Sequence, residues 1–412
     1  MNHLTNLSES ANQFVLTLAE LMSDYGASVH EIEDAMFTLN DTLQLNGSFV
    51  LFNRILLTSF ANSTSNNQVN LQRFGASKVN LYKLEQVEVI FHQVATGQLA
   101  VTDGLQRLTQ IKSSGRLYNR ILDFLSWPLL SAGFVLILSG NWLDLICSSL
   151  ISILIYKINE LLSRNDNGTG LRLAIPTCAF AAAFLAVISN LLLHSSSIAI
   201  ITTSSLMKFM PGLYLTQAIT EIAYRRLISG MAHLCEAIFI LVILALGVFL
   251  GTALGNLLIP VSLVIQSVST PLWKLIIAGS LIGSSFIFSF DIIKRHIPIV
   301  IIASIIVTII WVNAKANYGP VYGTAAAALS GALMANIYAR MTKSSDLVLK
   351  LPTAVIIVPG IFAFRALIDI LNNNTVPGVE HFLTTFTLGA AIAGGFLIVD
   401  IIIPAEFIHN RK

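Results

Sequence analysis

Charge is what this sequence has least of. Asp, Glu, Lys and Arg together make 11% of its 412 residues, while 55% are apolar and the mean hydropathy is +0.75. Soluble domains carry roughly a quarter charged residues, so a water-soluble globular class is excluded and a polytopic membrane protein is expected. The net charge of +2 is too small to favour a nucleic-acid partner. Cysteine is scarce as well: Cys147, Cys178 and Cys235 lie singly in apolar stretches, without the spacing of a disulfide framework or a metal site. No phosphate-cradling glycine loop, nucleophile elbow or HExxH pair occurs. No cofactor and no metal are therefore expected, and the chain is not read as an enzyme. The opening residues, MNHLTNLSESANQF, lack a basic leader with an apolar core and a small-residue cleavage site, so no cleaved signal is expected.

What the sequence does have is one stretch written twice. Residues 210–222 read MPGLYLTQAITEI and residues 358–370 read VPGIFAFRALIDI. Pro211, Gly212, Ala218, Glu221 and Ile222 match Pro359, Gly360, Ala366, Asp369 and Ile370. Both copies lie in long apolar runs, where Pro removes a backbone donor and clashes with the preceding turn. Broken apolar helices at corresponding places in two halves point to the substrate site of a transporter.

The front of the chain, residues 1–122, reads as a cytoplasmic α+β domain. Helices are expected around Phe14 to Tyr25, Val29 to Leu45, 80–96 and 101–113, and strands around 49–51, 55–60 and 69–74, with a polar turn at 61–67. His30, Glu31, Glu33 and Asp34, and likewise Glu88 and His92, are read as solvated helix faces, because none has metal-ligand spacing.

Ten stretches are then apolar and long enough to be spans: 124–140, 142–161, 172–193, 198–222, 233–258, 271–290, 297–313, 320–340, 348–371 and 382–404. With the amino terminus inside, the inner loops and tail hold twelve Lys and Arg against two, Lys274 and Lys315, outside. Trp127, Ala132-Gly133 and Asp144 are echoed by Trp273, Ala278-Gly279 and Asp291. Five spans is an odd number, so a second copy must insert upside down. The expected fold is a mostly α membrane protein of about ten transmembrane helices in a 5+5 inverted repeat, residues 123–260 and 271–404. A cytoplasmic tail, 405–412, follows.

Broken helices free backbone N–H and C=O groups, which suit an amino acid's carboxylate and ammonium. The candidate substrate-binding residues are Pro211, Gly212, Pro359 and Gly360 at the breaks, the cations Lys208 and Arg365, and the hydroxyls of Thr202, Thr203 and Ser204. Glu221 and Asp369 are candidates for proton coupling. Plain alternatives stay open: Lys208 and Arg365 pairing with local acids, and the hydroxyls bonding their own helix. The expected partners are a small-molecule substrate and membrane lipid, with no nucleic acid and with room for a homo-oligomer.

The chain resembles the threonine/serine exporter family. Tyr25-Gly26-Ala27 with Ile32-Glu33 is similar to its front signature. Met210-Pro211-Gly212 through Glu221, then Ser229-Gly230-Met231-Ala232-His233, is similar to its Pro-Gly…Asp…Gly-x-Ala-Arg block, and Val358-Pro359-Gly360 to the block of its smaller module. Ser28, Glu31 and His233 depart from the family's usual Glu, Arg and Arg. The resemblance implies export of threonine, serine or related metabolites, driven by the membrane potential or proton gradient. The loop charges put both termini in the cytoplasm, and for an exporter without organelle signals the expected membrane is the plasma membrane. Split relatives imply a dicarboxylate of the succinate type as the alternative substrate. A membrane-anchored regulator or hydrolase working through residues 1–122 is the alternative outside transport.

Overall fold

A computed structural model describes residues 2–45, 47–52, 54–60, 68–75, 79–163, 169–194, 197–259, 270–357 and 360–405. The expected turn at 61–67, Pro359 and all but the first residue of the tail lie outside them. The front domain comprises α1 (Asn2–Tyr25), α2 (Val29–Leu43), strands β1 (Gly47–Phe52), β2 (Ile55–Phe60) and β3 (Gln68–Arg73), then α3 (Leu81–Ala95) and α4 (Val101–Ser113). The strands form an antiparallel sheet in the order β1-β2-β3, with Phe52 opposite Ile55 and Phe60 opposite Gln68. Helical spacing on α1 and α2 buries Phe14, Leu18, Leu21, Ile32, Met36 and Leu39 together with Phe49 and Leu56 from the sheet.

The remaining helices are α5 (Arg120–Ile137), α6 (Trp142–Ser163), α7 (Thr169–Leu193), α8 (Ile198–Ser205), α9 (Gly212–Ala223), α10 (Leu227–Gly255), α11 (Leu272–Ser289), α12 (Ile297–Tyr318), α13 (Pro320–Thr342), α14 (Leu347–Ile357), α15 (Gly360–Leu371) and α16 (Thr375–Ile402). Among the described residues, eight helical stretches are long and apolar enough to cross a membrane, and α8 with α9 makes a ninth if taken as one bent span. The count of ten expected from the sequence is not reached. The missing one is α13, which is 23 residues long but built from small residues that carry little apolar surface. Its Ala327, Ala328, Gly331, Ala332 and Ala335 are buried, so smallness here serves close approach to neighbouring helices.

The first break follows Ser205: a 3-10 turn, Met207–Phe209, separates α8 from α9, and the two helices meet at 47°. Pro211 caps α9, whose helix begins at Gly212, because proline supplies no N–H and its ring excludes a continuing turn. The helices flanking Val358 and Pro359 behave differently, and α14 with α15 counts as a single span, Leu347–Leu371.

The front domain is bolted to the membrane helices by buried polar contacts. Asp291 accepts from Asn80 Nδ2 at 2.8 Å, Arg116 Nε at 3.2 Å and the Tyr118 N–H at 3.3 Å. Arg226 pairs with Glu33, Arg295 with Glu85, and the Ser345 hydroxyl donates to Glu88 Oε1 at 3.1 Å. Glu33 and Glu88 are therefore buried at an interface, against the expectation of solvated faces. Asp144, the sequence echo of Asp291, makes no such contact with the front domain. Its Oδ1 instead accepts the Ser197 N–H at 2.6 Å, at the cap of α8.

Candidate functional site

Between the front domain and the membrane helices lies a cavity of about 350 Å³. One wall is α9, the outer leg of the first broken span, with Leu213, Thr216, Gln217, Thr220, Glu221 and Tyr224. The facing wall is the start of α14 (Asp346, Lys350, Leu351) and the end of α16 (Phe396, Asp400). Ser28, His30, Glu31 and Asp34 of the front domain close it from the aqueous side.

The polar wall is held by a partly buried ion network. Lys350 Nζ reaches Asp346 Oδ2 at 2.5 Å, one helical turn away, and Asp400 Oδ1 at 2.7 Å. Asn336 Nδ2 donates to the same Asp400 oxygen at 2.7 Å. Glu31 closes a capping box on α2, its Oε2 accepting the Ser28 N–H at 2.6 Å and the Ser28 hydroxyl at 2.9 Å. Burial, and after it the charge of Asp346, pushes the Glu31 carboxyl up to about 7. The same causes, burial first and then Glu31 and Asp346, raise Glu88. His30 stacks on Tyr224 with ring centres 4.5 Å apart. Thr216, buried to 7% exposure, and Thr220 turn hydroxyls into this region that have no hydrogen-bond partner among the described residues.

The residues singled out in the sequence are distributed more widely than one pocket. Glu221 lines the cavity, and Pro211 and Gly212 start the helix that forms its wall. Lys208 lies outside the cavity wall: its Nζ donates to Ser289 Oγ and sits 5.7 Å from the centre of the Trp127 ring. Thr202, Thr203 and Ser204 are buried in α8, with the Thr202 and Ser204 hydroxyls unpartnered among the described residues. Gly360 begins α15, on which Arg365 and Asp369 also lie, and Asp369 meets His381 of α16, Oδ2 to Nδ1, at 2.8 Å. The helices α9 and α15 come together at a small apolar hollow of about 40 Å³, where Leu215 and Ile219 face Ala363 and Leu367. Asp346, Lys350 and Asp400 were not picked out from the sequence. The i, i+4 spacing of Asp346 and Lys350 is a signal that was available; Asp400 joins them only through tertiary contact.

Known proteins bear on the chain along its whole length. The threonine/serine exporter family model matches residues 13–255, and a second model, described as Threonine/Serine exporter, ThrE, matches residues 275–402. The chain belongs to the threonine/serine exporter family. Curated relatives of this exporter-family chain include "Pheromone-regulated membrane protein 10" of Saccharomyces cerevisiae, 24% identical over 91% of this chain and 50% of that protein. The proteins of the same name from Zygosaccharomyces rouxii and Eremothecium gossypii are 21% and 22% identical, each over 97% of this chain and 42% and 55% of their own lengths. The chain thus spans about half the length of these relatives. No solved structure matches this family member.

Proposed function

We propose that the protein is a secondary carrier exporting small zwitterionic amino acids, threonine and serine first among them. Its two five-span halves insert in opposite directions, with α13 as the eighth of ten spans. Both chain ends and the front domain lie in the cytoplasm, beneath a plasma membrane.

The observation that carries this reading is the composition of the cavity wall. Glu31, Asp34, Glu221, Asp346 and Asp400 outnumber Lys350, the one lysine or arginine among the described lining residues. An acid-rich wall in a poorly hydrated site favours a ligand with an ammonium group. The ligand's carboxylate has Lys350 to meet, and a side-chain hydroxyl has Thr216 and Thr220. The volume is at the lower end of the roughly 300–1,000 Å³ range of small-molecule pockets, which suits a compact amino acid. A dicarboxylate would bring two further negative charges against the same acids, so the succinate-type alternative is disfavoured. Membership of the exporter family supports the same substrate class.

The test uses the purified chain in proteoliposomes loaded with labelled threonine. Efflux down a gradient should exceed that from empty vesicles, and unlabelled serine should compete while succinate does not. Efflux equal to that of empty vesicles would overturn the reading.

A further inference from the structure

Glu221 meets His233 with Oε1 and Nε2 3.6 Å apart, and Asp369 meets His381 at 2.8 Å. In both halves the acid stands ten residues after the break proline and the histidine twenty-two after it. The two pairs are thus the same element of the sequence repeat. They also span the same joint. In each, the helix after the Pro-Gly stretch, α9 or α15, ends in a left-handed residue, Arg225 or Asn373, both at φ 63°. In each, the next N–H closes the helix end, Arg226 to the Glu221 carbonyl and Asn374 to the Asp369 carbonyl, both at 2.8 Å.

We propose that Glu221–His233 and Asp369–His381 are the carrier's two proton-binding sites, one at each end of the transport path. This rests on the export function and names the residues that couple it to the proton gradient. An imidazole held by a carboxylate changes charge within the physiological pH range, and a charge change inside a membrane is costly enough to select between conformations. The pairs are in different states. Asp369–His381 is closed as a hydrogen bond, on the side where Phe364 and Ile368 pack into the apolar core. Glu221–His233 is stretched, on the side where the cavity is open.

Glu221 faces both the cavity and His233, so a substrate ammonium entering the cavity competes with the proton that the pair holds for one carboxylate. The proton leaves the Glu221–His233 pair as the ammonium takes its place, which gives one proton exchanged for one zwitterion. The charged and titratable groups around the first pair are Glu33 of α2, Arg226, Arg54 of the sheet and Tyr214 of α9. Around the second they are Arg365 on α15, Lys315 of α12 beside it, and Glu380 next to His381 in sequence.

The full chain in proteoliposomes, with a pH dye in the lumen, separates proton coupling from substrate passage. Threonine exchange at equal pH and threonine accumulation driven by a pH gradient are measured for the wild type, His233→Gln and His381→Gln. Glutamine keeps a hydrogen-bonding side chain but cannot titrate. The ratio of driven accumulation to exchange should fall about a hundredfold in each variant, the scale of losing a positioned proton carrier, with the proton flux lost alongside. An unchanged ratio, whether both rates hold or fall together, overturns the proposal. If the wild type moves no threonine, the export reading fails by itself. Hydrogen exchange of residues 212–235 and 360–382 against pH then decides the pairs. Each segment should show a pH transition that only its own histidine variant removes, and a flat wild-type profile overturns the assignment.

Discussion

The α9–α10 and α15–α16 hairpins share a joint and differ in what they line. A Cβ on Gly230 would stand 2.6 Å from Ile222 Cγ1 and 2.9 Å from the Ala218 carbonyl oxygen. On Gly378 it would stand 2.6 Å from Ile370 Cγ1 and 3.0 Å from the Ala366 oxygen. The residues that hold the joint are the same Ala and Ile that made the stretch recognisable as a repeat. The walls, by contrast, have diverged. Thr216 and Thr220 stand where the other copy has Phe364 and Ile368, each five and nine residues after its proline. Lys350 and Asp400 correspond to Thr202 and Thr252. The helix α9 borders a polar cavity, completed by α14 and α16 of the other copy, while α15 packs into an apolar core. A shared hinge with unlike linings leaves one polar opening, at α9, and one sealed side, at α15.

The largest effect should come from making the linings alike. Thr216→Phe places the side chain of the second copy in the cavity of the first, and threonine efflux should drop to the level of empty vesicles while the protein remains monodisperse. Transport surviving this change would remove the cavity from the pathway. Next is the ion network. Lys350→Met leaves Asp346 and Asp400, both partly buried, without their cation, and the loss should lie below the roughly 3–5 kcal/mol of breaking a fully buried pair. Thermal unfolding should show that loss, whereas Thr202→Val at the matching site of the other copy should cost far less. Equal losses would mean that the network has no special standing.

The shared joint predicts equal effects. Gly230→Val and Gly378→Val each force a branched side chain against a carbonyl oxygen and an isoleucine, an overpacking cost of about 1–3 kcal/mol. The two should lower the unfolding temperature by similar amounts, and a large disparity would show that the joints are alike only in backbone.

These particulars mark how far the sequence could be read. Apolar runs and the Pro211-Gly212 break located most of the helices, because in lipid the backbone must satisfy itself locally. The acids Glu221 and Asp369 were visible at a fixed distance from proline, and His233 and His381 were equally visible, twelve residues further on. Pairing them needs the left-handed turn at residues 225 and 373, and nothing about Arg225 announces a positive φ. Glu33 and Glu88 read as solvated because a polar interface between a domain and a membrane surface has the same helical periodicity as a face in water. Arg226 and Ser345, which remove them from water, are distant in the chain.

The front domain extends the comparison, since it abuts the open cavity through Glu31. A carboxyl whose folded value is raised to about 7 favours the docked state below its ordinary range and loses that contribution as pH rises through about 7. The charge that appears then faces Asp346 and Glu88. Protease protection of the docked domain should therefore weaken between about pH 5 and pH 7 and level off above, and Glu31→Gln should flatten the profile while its amide oxygen keeps the capping bond. A pH dependence surviving in that variant would move the effect to Glu88.

The smallest effect lies at the turns. An ordinary L-residue in the left-handed region costs about 1–2 kcal/mol, and asparagine tolerates it better. Arg225 and Asn373 hold the same φ, so they should respond unequally to glycine. Arg225→Gly relieves the larger strain and, after the entropy that glycine adds to the unfolded chain, should stabilise the protein by about 0.5 kcal/mol. Asn373→Gly should change it by a few tenths at most. Calorimetry on the two variants reads the difference directly. A gain at Asn373 as large as that at Arg225 would mean that the strain belongs to the hairpin's path through the membrane and not to the residue occupying it.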